Sequence, residues 1–192
     1  MAQRLGYRVV RGALPAGLRG TSIRGEPLIV VRPECYRPRE EFAVGHELLE
    51  LHLPRCLLDV LEQEAKERVC NRGAAALLLP RQPFMSSLAA ARWDLAELRR
   101  RLPWASWAAI ATRIVDLVPG AAAATWVNGT REWWRFTEGV NLGDVAGAEH
   151  EAAREAGRHG YSVVRVRGVR ARAWRLVARQ GRRVTLTIAE QC

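Results

Sequence analysis

Three side chains of one predicted helix, His46, Glu47 and Glu50, have the types and spacing needed to hold and use a metal ion. Residues four apart share a face of an α-helix, so His46 and Glu50 can both reach one ion. Glu47 projects about 100° around the helix and can act on a water molecule without binding the ion itself. The geometry is that of the HExxH motif, in which two histidines bind zinc and the glutamate is the general base.

The second histidine of that motif is replaced here by Glu50, and acidic residues at helical spacing are usually a solvated face. The apolar neighbours on the same helix argue against that interpretation; they are Leu48, Leu49, Leu51 and Leu53. They predict a mostly buried helix, in which a histidine and carboxylates need polar partners. The apolar neighbours therefore weaken the solvated-face interpretation, and both interpretations stay open on these residues alone.

The elements that must position these side chains can be read from periodicity and from prolines. Glu40–Leu53 is predicted as a helix that Pro54 ends. Leu57–Leu79 is predicted as a second, longer helix that ends at Pro80, followed by a loop over Arg81–Ser87. Two strands are predicted upstream, over Gly6–Arg11 and Pro27–Arg32, the second of them rich in β-branched residues.

The second half of the chain changes from helical to alternating patterns. Two short helices, Asp94–Leu102 and Ser106–Leu117, suggest a helix-turn-helix-like pair, although an αα-hairpin packed on the core explains them as well. Asn128-Gly129 predicts a tight hairpin turn. The other predicted elements are a helix over Gly147–Gly157, strands over Tyr161–Arg167, Ala171–Ala178 and Arg183–Ala189, and a turn at Gln180-Gly181. Helices followed by a β-rich part indicate an α+β fold.

Two motifs at the right separation resemble the ImmA/IrrE family of metallopeptidases. Residues 42–48 resemble the family pattern Phe-Thr-x-Ala-His-Glu-Leu-Gly-His, and residues 67–80 resemble Glu-x-x-Ala-x-x-Phe-Ala-Ala-x-Leu-Leu-x-Pro. Ala105-Ser106 and Arg113-Ile114 are similar to a Val-Ser and Arg-Leu pair that follows in the family. The resemblance covers roughly residues 27–118. Cys70 and Gly73 stand where the family has alanine and phenylalanine, which is a change of packing.

The resemblance implies a zincin-like metallopeptidase core, a small sheet with an active-site helix and a second ligand helix, over residues 1–90. A helix-turn-helix-like pair over residues 91–120 and a β-rich basic region over residues 121–192 would complete the chain. The implied metal ligands are His46, Glu50 and Glu67, with Glu47 as the general base. His52 and Cys70 are accessory positions, although His52 lies about 120° from His46 around a regular helix.

The exchange of histidine for Glu50 changes the electrostatics of the implied site. Two carboxylates and one histidine leave a divalent ion formally neutral, which weakens it as a Lewis acid. Oxygen ligands also favour harder ions. The resemblance implies zinc first as the cofactor, and the oxygen ligands make manganese or iron(II) the alternatives.

Three functions compete on this reading. The first is a metal-dependent, cytoplasmic endopeptidase that cuts a protein such as a helix-turn-helix transcriptional repressor, as the resemblance implies, in transcription regulation or stress response. The second is a catalytically weak or inactive metal-binding regulator that acts by binding a protein or DNA, and Glu50 is its main support. The third is a nucleic-acid-binding protein. The sequence has neither aromatic residues interleaved with basic ones nor a known base-reading motif, so this hypothesis has the least support.

The nucleic-acid hypothesis depends on the helix pair over residues 94–117 and on the charge of the C-terminal region. The net charge is +10, and residues 151–192 hold ten arginines and three glutamates. Such a block attracts phosphate, and the weak candidates are Arg165, Arg167, Arg170 and Arg172. A solvated strand face in an arginine-preferring chain, with 29 arginines and the single lysine Lys66, is the simpler interpretation.

The remaining composition places the chain among globular proteins of a reducing compartment. No run approaches the ~18 apolar residues of a membrane helix, and the N-terminal residues lack the apolar stretch of a signal peptide. The four cysteines form no CxxC pair, so small buried thiols are expected rather than disulfides. A cytoplasmic location without a membrane partner is the expectation.

Overall fold

The structure is a computed structural model that describes residues 2–33, 37–176 and 184–191. It is an α+β fold with two sheets and a β-rich C-terminal part, which confirms the predicted fold class. Contacts between Cα atoms divide the chain into two compact units, residues 1–110 and 111–192.

The sheet of the first unit has the strand order β1-β3-β2. The strands are β1 (Arg8–Arg11), β2 (Gly20–Ser22) and β3 (Leu28–Val31), and a 3₁₀ turn at Ala2–Leu5 precedes them. β1 pairs with β3 in parallel and β2 pairs with it antiparallel, so β2 is an edge strand. The two longer strands confirm the prediction, whereas β2 was not predicted, because Gly-Thr-Ser lacks the β-branched alternation that indicates a strand.

The helices of the first unit begin after the sheet. They are α1 (Arg37–His52), α2 (Arg55–Val60), α3 (Gln63–Leu78), α4 (Arg81–Ala90), α5 (Leu95–Arg101) and α6 (Trp107–Leu117), the last of which continues into the second unit. The predicted helix over residues 40–53 is confirmed as α1. The predicted pair over residues 94–117 is also confirmed, because Asp94 caps α5 and the Ser106 hydroxyl accepts a hydrogen bond from the Ala109 amide.

Two predictions in the middle of this unit were wrong. Leu57–Leu79 is not one helix but two, since Leu61 and Glu62 have extended backbone, with ψ of 132° and 152°. Helix propensity is overridden there because the chain turns to bring α3 against α1. Arg81–Ser87 is not a loop but most of α4, in which Pro83 lies in the first turn, where its missing N–H costs no helical hydrogen bond.

The second unit is a five-stranded antiparallel sheet with one long helix against it. The strands are β4 (Ala121–Val127), β5 (Thr130–Phe136), β6 (Tyr161–Val166), β7 (Val169–Leu176) and β8 (Val184–Gln191), in the order β5-β4-β8-β7-β6, and the helix is α7 (Leu142–His159). The predicted hairpin is confirmed: Asn128 and Gly129 have φ of 51° and 88°. The predicted turn at Gln180-Gly181 lies outside the described residues.

α7 is longer than the predicted Gly147–Gly157 because its start is fixed by a cap. The Asn141 side chain accepts a hydrogen bond from the Gly143 amide, so the helix begins at Leu142. Its buried face packs on the sheet through small residues from both sides. Ala148 and Ala152 of α7 are in the same buried cluster as Ala171 of β7 and Ala189 of β8. Within the part of the chain that the structure describes, every helix is too short or too polar to cross a membrane.

Candidate metal centre

Close packing of α1 against α3 creates the surface on which the candidate site lies. A Cβ atom added to Gly45 would lie 3.4 Å from the Ala74 Cβ, so the two helices approach closely at this point. At Gly73 an added Cβ would lie 2.7 Å from the Leu49 side chain, which fills the space over that glycine. The Gly73 position, where the resembled family has phenylalanine, is therefore occupied from α1.

His46 is held between two residues of α3. Its Nδ1 lies 3.1 Å from the Asn71 Oδ1, and its Nε2 lies 3.7 Å from the Glu67 Oε2. The amide oxygen of Asn71 can only accept, so Nδ1 donates to it, and a neutral His46 would present the lone pair of Nε2. An outer partner on one imidazole nitrogen is the usual way in which a protein orients a histidine that binds metal. The Nε2 lone pair is thus aimed towards Glu67.

Glu47 is a buried carboxylate that accepts a hydrogen bond from a hydroxyl group of the neighbouring sheet. The residue is 7% exposed, and its Oε2 accepts a hydrogen bond of 2.9 Å from the Ser22 hydroxyl on β2. Burial raises the pKa of the Glu47 carboxyl, while the Ser22 hydrogen bond and His46 lower it and Glu50 and Glu67 add to the rise. A raised pKa suits a carboxylate that takes up a proton near neutral pH.

The edge strand β2 leaves room for this carboxylate only because it begins with glycine. A Cβ atom at Gly20 would lie 2.9 Å from both the Cγ and the Oε1 of Glu47. The strand thus contributes the Ser22 donor and the space beside it. Sequence reasoning did not identify either residue, because β2 itself was not predicted.

Glu50 is paired with a cation that sequence reasoning did not include in the site. The Lys66 Nζ lies 2.5 Å from the Glu50 Oε1, and the two side chains are 22% and 30% exposed. The hydrogen bond to Glu50 is the main reason why the pKa of Lys66 is raised. The available signal was that Lys66 is the chain's only lysine and directly precedes Glu67.

These side chains form a donor group that fits a divalent ion. His46, Glu47 and Glu50 offer one ligand atom each, and those atoms all lie within 4.8 Å of one another. Glu67 adds a carboxylate from α3 beside His46, and its Oε1 accepts a hydrogen bond from Gln63 one turn earlier. The structure thus brings together His46, Glu47 and Glu50 and places Glu67 beside His46.

The two accessory positions lie in different surroundings. His52, at the end of α1, is exposed and meets the Tyr7 ring edge-on, with 5.7 Å between centroids. Cys70 is fully buried on α3, and burial, followed by the carboxylates of Glu50 and Glu67, raises its pKa to about 11. Its thiol is therefore protonated at neutral pH in the protein without metal and would have to release that proton to bind a metal ion.

The arginines proposed for nucleic acid lie at one end of the second sheet. Arg170 and Arg172 both reach the Glu190 carboxylate, at 3.4 and 2.7 Å. Arg167 lies 3.7 Å from Asp144, and Arg165 is exposed on β6. Carboxylates thus engage three of the four guanidinium groups, and their role with nucleic acid stays a prediction.

Comparisons with known proteins were made for sequence and for fold. The family model described as the IrrE N-terminal-like domain of the M78 peptidases matches residues 2–109. No curated protein matches the chain by sequence. A solved structure of a Mycobacterium tuberculosis transcriptional regulator is similar in fold, with a TM-score of 0.72 at 16% identity, over 100% of this chain and 68% of that one.

Proposed function

This chain belongs to the IrrE N-terminal-like domain family of M78 peptidases, and on that basis we propose that it is a metal-dependent endopeptidase with a regulatory role. The single observation that carries the proposal is the arrangement of His46 and Glu50 beside the buried Glu47 on one helix. The proposed metal ligands are His46, Glu50 and Glu67, with zinc as the first choice and manganese or iron(II) as alternatives.

Each side chain of the site has a separate role in the proposed hydrolysis. A bound divalent cation supplies Lewis acidity towards the scissile carbonyl and towards water. Glu47 accepts the proton of the attacking water as general base and returns it to the leaving amine. Ser22 holds one oxygen of that carboxylate, so the other oxygen, Oε1, is the one left for the proton. Asn71 keeps the His46 Nε2 lone pair directed into the site.

The edge strand β2 supports a peptide as the substrate. It lies beside Glu47, and within residues 2–33, 37–176 and 184–191 it pairs with β3 alone, at one end of the sheet order β1-β3-β2. An extended peptide can add to such an edge through main-chain hydrogen bonds, which places its carbonyl groups next to the site. A protein such as a helix-turn-helix repressor is the proposed substrate, and the similarity in fold to a transcriptional regulator agrees with a regulatory setting.

Peptide cleavage with and without the general base tests the proposal. The protein is incubated with a proteome-derived peptide library in Zn²⁺, Mn²⁺ or Fe²⁺ and with EDTA, and new termini are identified by mass spectrometry. Glu47→Gln should lower cleavage by about 100-fold or more and leave metal content unchanged. Glu41→Gln, on the same helix and paired with Arg37 towards solvent, is the matched control and should cleave normally. Equal cleavage by Glu47→Gln and the wild type would refute the mechanism.

A second function is favoured by a specific observation, the engagement of Glu50 by Lys66. A site that already holds a cation next to one proposed ligand suits a regulator that binds metal weakly and acts by contact with a protein or DNA. The same library separates the two functions, since such a regulator yields no metal-dependent termini. Such a regulator would act on its protein or DNA target equally well in the Glu47→Gln variant.

A further inference from the structure

The Lys66–Glu50 pair lies where the second metal-binding histidine would be in an HExxH motif. Lys66 Nζ is 2.5 Å from the Glu50 carboxylate, and both groups are more than two-thirds buried. The pair joins α3 to α1, the same two helices that contribute Glu67 and His46. The lysine therefore belongs to the site, not to the outer surface of α3.

The charge balance of the site changes once Lys66 is included. A divalent ion with His46, Glu50 and Glu67 is formally neutral, but with the ammonium of Lys66 the sum is +1. Two histidines and one carboxylate around the same ion also give +1. Lys66 would thus restore the charge that the exchange of histidine for Glu50 removes, and the metal ion would be less weakened as a Lewis acid than its three ligands alone imply.

The same ammonium acts on the protein without metal. One carboxylate oxygen of Glu47 and one of Glu50 lie within 4.8 Å of each other, so the two negative charges repel each other when no metal is bound. A positive group against Glu50 relieves that repulsion, as a metal ion would. A divalent ion that enters must then bind beside a positive charge, which weakens its binding.

We propose that Lys66 is the built-in counter-ion of this site: it neutralises Glu50 when metal is absent, keeps α1 and α3 together without metal, and lowers the affinity for a divalent ion. The inference rests on the metal site of the proposed function and adds its regulation, since occupancy then depends on the availability of metal. Arg68, two residues further on α3, pairs with Glu64 at 3.5 Å but is 63% exposed and provides the contrasting surface pair.

Calorimetric titration of Zn²⁺ and Mn²⁺ into the full chain, with thermal unfolding in EDTA, tests the inference. Lys66→Met should bind metal about tenfold more tightly than the wild type and unfold at a lower temperature in EDTA, because one positive charge leaves the site. Lys66→Arg keeps the charge and should behave like the wild type. The control Arg68→Met should change neither quantity. Equal affinities of Lys66→Met and the wild type overturn the inference.

The outcomes also separate this inference from the proposed function. If the wild type and Lys66→Met bind metal equally well, the metal site is supported and the proposed role of Lys66 is refuted. If only Lys66→Met binds metal, the role of Lys66 stands and metal-dependent hydrolysis by the wild type falls. If neither binds, both fall.

A folding control covers the case in which Lys66→Met is recovered only unfolded. The double variant Glu50→Gln with Lys66→Met lacks both charges and should fold in EDTA if neutralising Glu50 is what Lys66 does. An unfolded double variant would overturn the inference, because Lys66 would then be needed for another reason.

Discussion

Glu47 in the first unit and Glu149 in the second are both buried carboxylates on helices, and their surroundings differ. Glu47 shares its site with a hydroxyl, an imidazole and two further carboxylates, and the ammonium of Lys66 lies against one of these. Glu149 is 0% exposed and its Oε1 accepts a hydrogen bond from Thr187, while no donor among the described residues meets its Oε2 in good hydrogen-bonding geometry.

These surroundings suit Glu47 to proton transfer, whereas the burial of a charged Glu149 lowers the free energy of unfolding. Burial raises the pKa of Glu149 to about 7, and the cation that opposes this rise, Arg131, is exposed and lies over the Trp134 ring. In the first unit the polar groups lie close together, and the Glu50 and Glu67 side chains are 30% and 47% exposed. In the second unit the Glu149 carboxylate is enclosed between α7 and the sheet, where burial disfavours its charged form and favours protonation.

The largest expected effect is a pH dependence of stability due to Glu149. Its pKa rises from 4.5 to about 7 on folding, so the folded protein binds the proton more tightly than the unfolded chain does. The free energy of unfolding should therefore fall as pH rises from about 4.5 to 7, by about 3 kcal/mol at 1.36 kcal/mol for each pKa unit. Glu149→Gln should remove this part of the slope in urea unfolding between pH 5 and 8.

A matched variant on the same helix controls for the loss of one acidic group. Glu151 is exposed on α7, so Glu151→Gln should keep the wild-type slope. If Glu149→Gln lost as much stability with rising pH as the wild type, Glu149 would not be the group responsible. The contrast between the two carboxylates would then be wrong.

Local signals predicted the second unit better than the first. The Asn128-Gly129 turn and the alternation over β6 and β7 depend on neighbouring residues, and the structure confirms them. The break at Leu61 and the strand β2 depend on contacts from distant parts of the chain, as does the helical state of Arg81–Ser87 beyond its first turn. Short-range propensity does not contain that information.

The candidate site shows the same limit. Spacing along one helix placed His46, Glu47 and Glu50 on a common side, which the structure reproduces. The reach of Lys66 to Glu50 could not be predicted, because it depends on the distance between α1 and α3, and glycines at 45 and 73 set that distance. The assignment of metal ligands stays a prediction until metal binding is measured.

A smaller effect is expected from the helix contact that carries the site. Gly73→Ala places a Cβ atom 2.7 Å from the half-buried Leu49 side chain, so the side chain or the helix must move. The free energy of unfolding should fall by about 2 kcal/mol, as is typical of overpacking. Urea unfolding measures it, and metal affinity should fall with it because α1 and α3 separate.

The double variant Leu49→Ala with Gly73→Ala identifies the cause. Removing the larger side chain gives the new methyl group space, so the two substitutions should be less destabilising together than their separate effects predict. Strict additivity would show that Leu49 is not what opposes a side chain at position 73. A Gly73→Ala variant as stable as the wild type would contradict the close packing itself.

The smallest expected effect is the same substitution in the other unit, with the opposite sign. Gly147 lies inside α7, and a Cβ atom added there would meet nothing within 4 Å. Gly147→Ala should raise the free energy of unfolding by about 0.5–1 kcal/mol, because alanine loses less backbone entropy than glycine in a helix. Urea unfolding under the conditions used for Gly73→Ala measures it. A loss of stability at both glycines would mean that intolerance of alanine is general to these helices, and the Gly73 result would then say nothing about how α1 and α3 hold the site.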